Sequence, residues 1–390
     1  MEKEHIKVLH VVTSFEDGGL EKVVALLVNN INNEYIKHYI ISLVKSKSDF
    51  LLRDLQRNAV DIAQFNFHNR IQGFNSIIIN LHELLSLSTY IKKKEIDVVH
   101  SHDFFPAFIS RVSVFISYFF LLYRVKRIFI TLHNLFFWLN GFHHKINKLL
   151  SYFTTNIICV SKSVLDYSLE KDKINVRKYK IIYNGIKLDE YIPSKKQESD
   201  YKKEFGILSD ESVIGNVGVL SIRKGQKYLI EAFARILNDK KNIKLLIFGS
   251  EREHEIKVAE EIYELIKKNN LNDYVKIIQP RKDLNLIYNI FDVYVMPSIT
   301  EGLSLSAIEA MLMRKICLFS DIAPFKEMVE DNVNGFLFKS EDVDALYNKL
   351  KYILENLDSL KSIGVNARNI ALEKYDVKNM CREYEKLYLS

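Results

Sequence analysis

Cysteine, proline and glycine are all scarce in this 390-residue chain. Its three cysteines, Cys159, Cys317 and Cys381, stand far apart, which suggests neither a disulfide framework nor a zinc cluster and suits a reducing cytoplasm. With 5 prolines and 13 glycines, no stretch reads as a long linker, a low-complexity tract or a repeat array. Met1 to Lys7 lacks the basic start, apolar stretch and small-residue cleavage site of a signal peptide, so secretion is not expected. The uncharged apolar segment Val112–Tyr123, between Arg111 and Arg124, is too short to cross a bilayer core of about 30 Å and is expected as a buried or surface-lying helix. There is no Walker-type phosphate loop and no strict dinucleotide glycine triplet.

Acid is missing from one long stretch. Phe104 through Leu165 contains no Asp or Glu, while Arg111, Arg124, Lys126, Arg127, Lys145, Lys148 and Lys162 are interleaved there with aromatic residues. Residues 1–190 hold 25 Lys and Arg against 18 Asp and Glu, and residues 191–390 hold 30 against 31, so the positive excess lies in the N-terminal half. A basic, aromatic stretch is what an anionic membrane surface attracts. No nucleic-acid partner is expected.

Apolar residues make up 48% of the chain and charged residues 27%, the profile of a folded protein long enough for two α/β domains. Short β-rich runs alternate with helical periods: Val8–Val12, Tyr39–Val44, Val60–Phe65, Ile96–His100, Ile128–Leu132 and Ile157–Val160, then Ser212–Val219, Ile243–Phe248, Val275–Ile278, Asp292–Met296 and Ile316–Phe319. Strand and helix in alternation imply parallel sheets covered on both faces, and the restart at Ser212 implies two doubly wound units. The boundary is expected near Tyr191–Asp200, where Pro193 is followed by the polar run Ser194–Asp200, a hinge candidate.

Chemistry-bearing residues gather at expected strand ends. The first strand runs into Gly18-Gly19 before a helix expected from Lys22 to Ile31, a turn that lets backbone approach a phosphate and that also serves as a plain turn. His133 ends one strand, and His100 and His102 end its neighbour, where open α/β sheets place ligand-facing groups. His143-His144 forms no metal set. In the second half, Arg223 and Lys224 follow a strand and suit a diphosphate. Further on, Pro297-Ser298 leads to Glu301-Gly302, expected to open a helix, with Glu309 about two turns along it among Ile308, Ala310 and Met311. A carboxylate there accepts two hydroxyl hydrogen bonds from a vicinal diol, and the amides after Glu301 bind anionic oxygen. Asp342-Val343-Asp344 matches a metal-diphosphate pattern, but is expected as the acidic first turn of a helix.

Taken in order, Gly18-Gly19-x-Glu21, Thr131-x-His133, Val160-Ser161, Tyr183-Asn184-Gly185-Ile186, Lys224-Gly225, Pro297-Ser298 with Glu301 and Glu309, and Asn334-Gly335-Phe336-Leu337 resemble glycosyltransferase family 4, retaining enzymes of the GT-B fold. The resemblance implies two Rossmann-like domains facing a central cleft. Residues 1–190 would form the acceptor-side domain, residues 191–375 the nucleotide-sugar-binding domain, and residues 376–390 a helix packing back towards the first. It further implies that Gly18, Gly19, Arg223, Lys224, Gly302, Leu303, Ser304 and Glu309 hold the donor, Glu309 through the ribose hydroxyls. His133, Glu301 and Lys224 would act at the reacting centre, with no metal and no cofactor. Three positions depart from the family pattern: Val219 stands for a customary Arg, Gln279 for a glycine, and Gly249-Ser250-Glu251-Arg252-Glu253 has a single glycine.

The expected function is retaining transfer of a hexose or N-acetylhexosamine from a nucleotide-diphosphate sugar to a glycan or lipid-linked acceptor in polysaccharide biosynthesis. The expected location is the cytoplasm, peripherally on the inner membrane face. The alternatives are a transferase acting on a soluble small molecule and a catalytically silent nucleotide-sugar-binding protein.

Overall fold

The computed structural model describes residues 5–16, 18–31, 33–45, 55, 61–68, 74–137, 139–251 and 255–390. The chain divides into two compact units, Met1–Gly185 with Val377–Ser390, and Ile186–Asp376. Each unit is built on one parallel sheet.

In the first unit, strands β1 (Ile6–Val12), β2 (Ile36–Ser42), β3 (Asp61–Gln64), β4 (Val98–His102), β5 (Arg127–Leu132), β6 (Asn156–Cys159) and β7 (Tyr179–Ile181) lie in the order β3-β2-β1-β4-β5-β6-β7. Every pairing is parallel. Parallel neighbours need a crossover, so helices cover both faces and both faces are buried. On one face, Leu9, Val11, Tyr39, Ile41 and Val99 pack with Leu87 and Ile91 of helix Phe74–Lys94 and with Ile109 and Val114 of helix Phe104–Leu121. The other face is polar at its centre. His10 stands opposite His100, and His102 opposite Thr131. With His38 these side chains are buried. The C-terminal helix Val377–Leu389 closes over them: the Tyr388 hydroxyl is 2.6 Å from His100 Nδ1, and the Tyr384 hydroxyl is 2.9 Å from Thr131 Oγ1.

In the second unit, β8 (Ser212–Val217), β9 (Ile243–Phe248), β10 (Val275–Ile278), β11 (Val293–Met296), β12 (Ile316–Ser320) and β13 (Phe336–Phe338) lie in the order β10-β9-β8-β11-β12-β13. Ile214, Leu245, Ile247, Val293, Val295 and Leu318 pack against Leu229 and Phe233 of helix Gln226–Asp239 and Leu346 and Leu350 of helix Val343–Glu355.

The structure corrects four expectations. Ser194–Asp200 is no hinge: Ser194 caps helix Lys195–Phe205, and its backbone N–H donates to Asn289 Oδ1 at 2.7 Å. A polar run with apolar residues on one side folds as a surface helix. The apolar segment is longer than a dozen residues, because helix Phe104–Leu121 starts at the aromatic pair before Pro106 and spans 18 residues. At 1.5 Å per residue that is about 27 Å, long enough for a span. Its inner side is nevertheless packed into the first unit. Arg111 on that helix is no surface charge; its guanidinium is buried and donates to Ala107 O and to Asn147 Oδ1, both at 2.8 Å. Strands β7 and β13 carry too few residues to show an alternation, and so were missing from the expected set. Val60, Arg252 and Glu253 lie outside the described residues.

The histidine layer makes stability pH-dependent. Burial lowers the pKa of His133 to about 3 and of His38 to about 4, and pushes His10, His100 and His102 well below the usual imidazole value. The folded groups stay neutral while the unfolded ones take up protons below about pH 6.5, so stability is complete above that pH and is lost progressively below it. Each such histidine contributes a slope of up to about 1.4 kcal/mol per pH unit. Denaturant titrations of the full chain at pH 7.5, 6.5 and 5.5 are expected to show a falling midpoint at the lowest pH; a flat midpoint would contradict the neutral layer.

Candidate active site

The order of the second sheet reverses between β8 and β11, and the loops leaving their C-terminal ends are therefore neighbours. Open α/β sheets bind ligands at this position. Two contacts join the loops. The backbone N–H of Ile299 donates to Arg223 O at 2.7 Å, and Gly225, at φ +64°, lies so close to the other loop that a Cβ would sit 2.1 Å from Pro297 O. Both the left-handed backbone and the close approach require glycine at 225. Ser221 caps the turn Ile222–Lys224 just before it.

This geometry brings Lys224 Nζ to 2.6 Å from Glu301 Oε1, which also accepts from Ser298 Oγ at 2.8 Å. Lys224 and Glu301 side chains are 13% and 7% exposed, so the pair is largely out of water. Burial alone would raise the Glu301 pKa; the charges of Lys224 and Arg223 and the hydrogen bonds from Lys224 and Ser298 outweigh it and hold the carboxyl below its usual value. One of three ammonium donors is thereby engaged, leaving a cation set beside a sheet edge.

Ser304 starts the next helix, Leu305–Leu312, by accepting from Ala307 N at 3.4 Å. Glu301 is thus off the helix, in the segment before it, contrary to the expectation that Glu301-Gly302 opens it. The Ser304 hydroxyl supplies the cap that Glu301 cannot. Gly302 and Leu303 complete the intervening segment. Glu309, buried on the helix, accepts from the Tyr191 hydroxyl at 2.8 Å through Oε1 and from the Tyr288 hydroxyl at 3.0 Å through Oε2. Burial, then the nearby Glu309 charge, raises both tyrosine pKa values far above that of an ordinary phenol, so both remain donors. Sequence reasoning missed these two tyrosines, which stand 118 and 21 residues from Glu309 in no shared motif.

In the first unit, strand order reverses between β1 and β4. Helix Gly19–Asn30 follows β1 with Gly18 at its N-cap, a residue with no side-chain oxygen to satisfy the first amides. Open space surrounds the Cβ position of Gly19. After β4, Asp103 holds φ 70° and ψ 178°, a backbone region that is nearly glycine's alone. Its carboxylate accepts from the His133 backbone N–H at 2.7 Å and from Asn134 Nδ2 at 3.1 Å, fixing the turn after β5. Asp103 was also missed, although strain of this kind marks functional sites. His133 Nε2 lies 3.1 Å from His102 Nδ1. Its Nδ1 is buried and has no partner among the described residues.

Two other motifs are structural. Asp342 caps helix Val343–Glu355, accepting from Ala345 N at 2.9 Å, and Asp344 pairs with Arg235. His143 completes a capping box with Asn140, and His144 Nδ1 lies 2.6 Å from Asp172 Oδ1.

Two doubly wound parallel sheets, each with polar residues at its switch point, are the architecture of GT-B glycosyltransferases. The fold matches HepE of Anabaena in complex with UDP and glucose at a TM-score of 0.84 and 20% identity, covering 99% of this chain and 100% of that one. Residues 17–190 match the model described as Glycosyltransferase Family 4, and residues 197–370 the model described as Glycosyl transferases group 1. The chain belongs to glycosyltransferase family 4. Among similar relatives, the UDP-Gal:alpha-D-GlcNAc-diphosphoundecaprenol alpha-1,3-galactosyltransferase of Escherichia coli is 23% identical over 330 residues, 80% of each chain. The capsular polysaccharide biosynthesis glycosyltransferase CapM of Staphylococcus aureus is 26% identical over 248 residues, 62% of this chain and 63% of that one.

Asp103→Gly separates strain from positioning. Glycine relieves about 1–3 kcal/mol of backbone strain and loses hydrogen bonds to a charged group worth about 1.5–3 kcal/mol. The thermal midpoint is expected to move by less than about 5 °C, while sugar transfer falls about tenfold or more as the His133 turn loosens. Unchanged transfer would remove Asp103 from the site.

Proposed function

We propose that the chain is a retaining glycosyltransferase that moves a hexose or N-acetylhexosamine from a nucleotide-diphosphate sugar to a glycan or lipid-linked acceptor in polysaccharide biosynthesis, without a metal ion. The observation that carries this reading is the largely buried Lys224–Glu301 pair at the β8/β11 reversal, next to the helix bearing Glu309. Lys224, with Arg223 on the same turn, meets the charge that grows on the leaving diphosphate. The amides of Gly302, Leu303 and Ser304 approach the phosphates, and in the first unit the Gly18-Gly19 turn is a ligand-facing group. The Glu309 carboxylate accepts the ribose hydroxyls. Glu301 contacts the transferred sugar, and in the first unit His133 is a ligand-facing group. The Escherichia coli relative is named for a UDP-Gal donor and a lipid-diphosphate acceptor, and the Anabaena structure holds UDP and glucose; both support this donor class. Val219 leaves the customary arginine absent, and Arg223, four residues on, takes its place.

The test is release of free nucleotide from a panel of nucleotide sugars with lipid-linked and soluble acceptors. Acceptor-dependent turnover is expected, undiminished by EDTA. Glu309→Gln is expected to weaken nucleotide binding about tenfold or more, the loss of one hydrogen bond to a charge. Nucleotide binding without turnover of any donor would mark a silent binding protein. Loss of activity with EDTA, restored by manganese, would overturn the metal-free reading.

A membrane location has its own observation. Phe115, Tyr118, Phe119, Phe120 and Leu122 are exposed at the end of helix Phe104–Leu121, with Phe120 at 75% and Leu122 at 90%. Phe115 is 6.1 Å from Phe153, which joins Tyr152 and Phe153 to the same patch. Arg124, Lys145 and Lys148 are exposed nearby in the chain. Of the other expected basic residues, Lys126 pairs with Asp97 at 2.7 Å and Arg127 donates to Tyr388 O at 2.8 Å. Exposed aromatic rings together with exposed basic side chains suit the cytoplasmic face of an anionic membrane, each cation adding about 1 kcal/mol. Co-sedimentation with anionic vesicles is expected, reduced at least about fivefold when Phe120 and Leu122 become Ser together with Arg124→Glu. Equal binding by both proteins would exclude this patch as the anchor.

A further inference from the structure

Two tyrosines meet the Glu309 carboxylate, one at each oxygen, and neither belongs to its helix. The Tyr191 hydroxyl donates to Oε1 at 2.8 Å and the Tyr288 hydroxyl to Oε2 at 3.0 Å. The Tyr288 hydroxyl also lies 3.2 Å from Ser306 O; it has one proton, and the charged acceptor is the stronger. The last torsion of a glutamate side chain, which turns the carboxylate about its axis, has only a broad preference of its own. One donor on each oxygen removes that freedom. All three side chains are buried, so bulk water does not replace either donor.

The segments that carry the tyrosines are tied to each other and to the helix. Asn285 Nδ2 donates to Glu190 O at 2.9 Å, and Asn289 Oδ1 accepts from the Ser194 backbone N–H at 2.7 Å, so the stretches around Tyr191 and Tyr288 are joined at two points. The rings of Phe291 and Tyr294, with centroids at 5.5 and 5.7 Å, pack on that of Tyr288. Arg368, on helix Lys361–Lys374, donates through Nη1 to Tyr191 O at 2.9 Å and to Leu312 O. Leu312 ends the helix that bears Glu309, and its carbonyl is one of those a helix leaves without an internal partner. One guanidinium therefore holds both the backbone of Tyr191 and the end of the Glu309 helix, where its charge suits the helix dipole. We propose that Tyr191 and Tyr288 are positioning residues that lock the rotation of the Glu309 carboxylate, with Arg368 keeping Tyr191 in register, so that the site selects a ribonucleotide over its deoxy form. This rests on the reading of Glu309 as the acceptor of the ribose hydroxyls. A vicinal diol offers two hydroxyls at a fixed spacing and needs the carboxylate in one orientation, whereas a single hydroxyl is met equally well by one that turns.

Calorimetry on the full chain with UDP, ADP and GDP, each beside its 2′-deoxy form, reads this selection. The unsubstituted protein is expected to bind at least one ribonucleotide about tenfold or more tighter than its deoxy form, one hydrogen bond to a charge. Tyr191→Phe and Tyr288→Phe are expected to shrink that ratio at least about threefold. They are also expected to raise the donor KM with kcat unchanged, because the ribose contacts are alike in ground and transition states. Arg368→Met is expected to act as Tyr191→Phe does, and Arg368→Lys, which keeps a donor and the charge, to restore part of the ratio. An unchanged ratio in both phenylalanine variants would overturn the proposal. So would a larger ratio, which would make the tyrosines competitors of the ribose, or a fall in kcat alone. If Tyr288→Phe does not fold, Tyr191→Phe decides. Glu309→Ala separates the proposal from the reading beneath it: a ratio lost there but kept in the phenylalanine variants strikes the tyrosines alone, and a ratio kept there strikes the ribose reading and the proposal together. Absence of ribonucleotide binding by the unsubstituted protein overturns both.

Discussion

Parallel strand pairing is the constraint on which the rest depends. Each crossover returns the chain to the same starting edge, so the C-terminal ends of all strands in a unit share one edge, and every loop leaving that edge competes for the same space. Where the strand order reverses, two such loops diverge to opposite faces and leave room between them. In the second unit this happens at β8 and β11, and Lys224 and Glu301, 77 residues apart, meet there. In the first unit it happens at β1 and β4, which places the Gly18-Gly19 turn beside Asp103.

Both units bury polar groups at or near these edges, and each solves the desolvation problem differently. The second pairs opposite charges: Lys224 with Glu301, and Glu309 with two tyrosine donors. Removing one member of such a set leaves the other buried without compensation, a cost of about 3–5 kcal/mol for an ion pair, so the partners hold each other in place before any ligand arrives. The first unit carries no charge in its layer. Its histidines are neutral and contact one another, Thr131 and Tyr388 of the C-terminal helix, while Tyr384 of that helix contacts Thr131. That helix thereby becomes part of the support of His100 and Thr131.

Strand interiors were legible because a run such as Ile243–Phe248 is β-rich and flanked by helical periods. The three-residue strands Tyr179–Ile181 and Phe336–Phe338 were not, since so few residues carry no period. The helix of Ser194–Asp200 was hidden by its polarity. In the site, Lys224, Glu301, Glu309 and His133 stood out because a charged or polar residue in an apolar context, or at a strand end, suggests a specific partner. Tyr191, Tyr288 and Asp103 did not, because tyrosine is common in cores and the strain of Asp103 exists only in its dihedral angles.

The sequence by itself determined the parallel α/β class and the order of the motifs along the chain, since both are written in local periodicity and in residues a few positions apart. Tertiary structure decided what those residues touch: that Glu301 leaves the helix and pairs with Lys224, that Arg111 is buried, and that His38, His10, His102 and His133 form one file of ring contacts. These contacts join residues up to 92 positions apart in the file and 77 in the ion pair. They arise from strand register and order, and a local pattern in the chain carries no record of either.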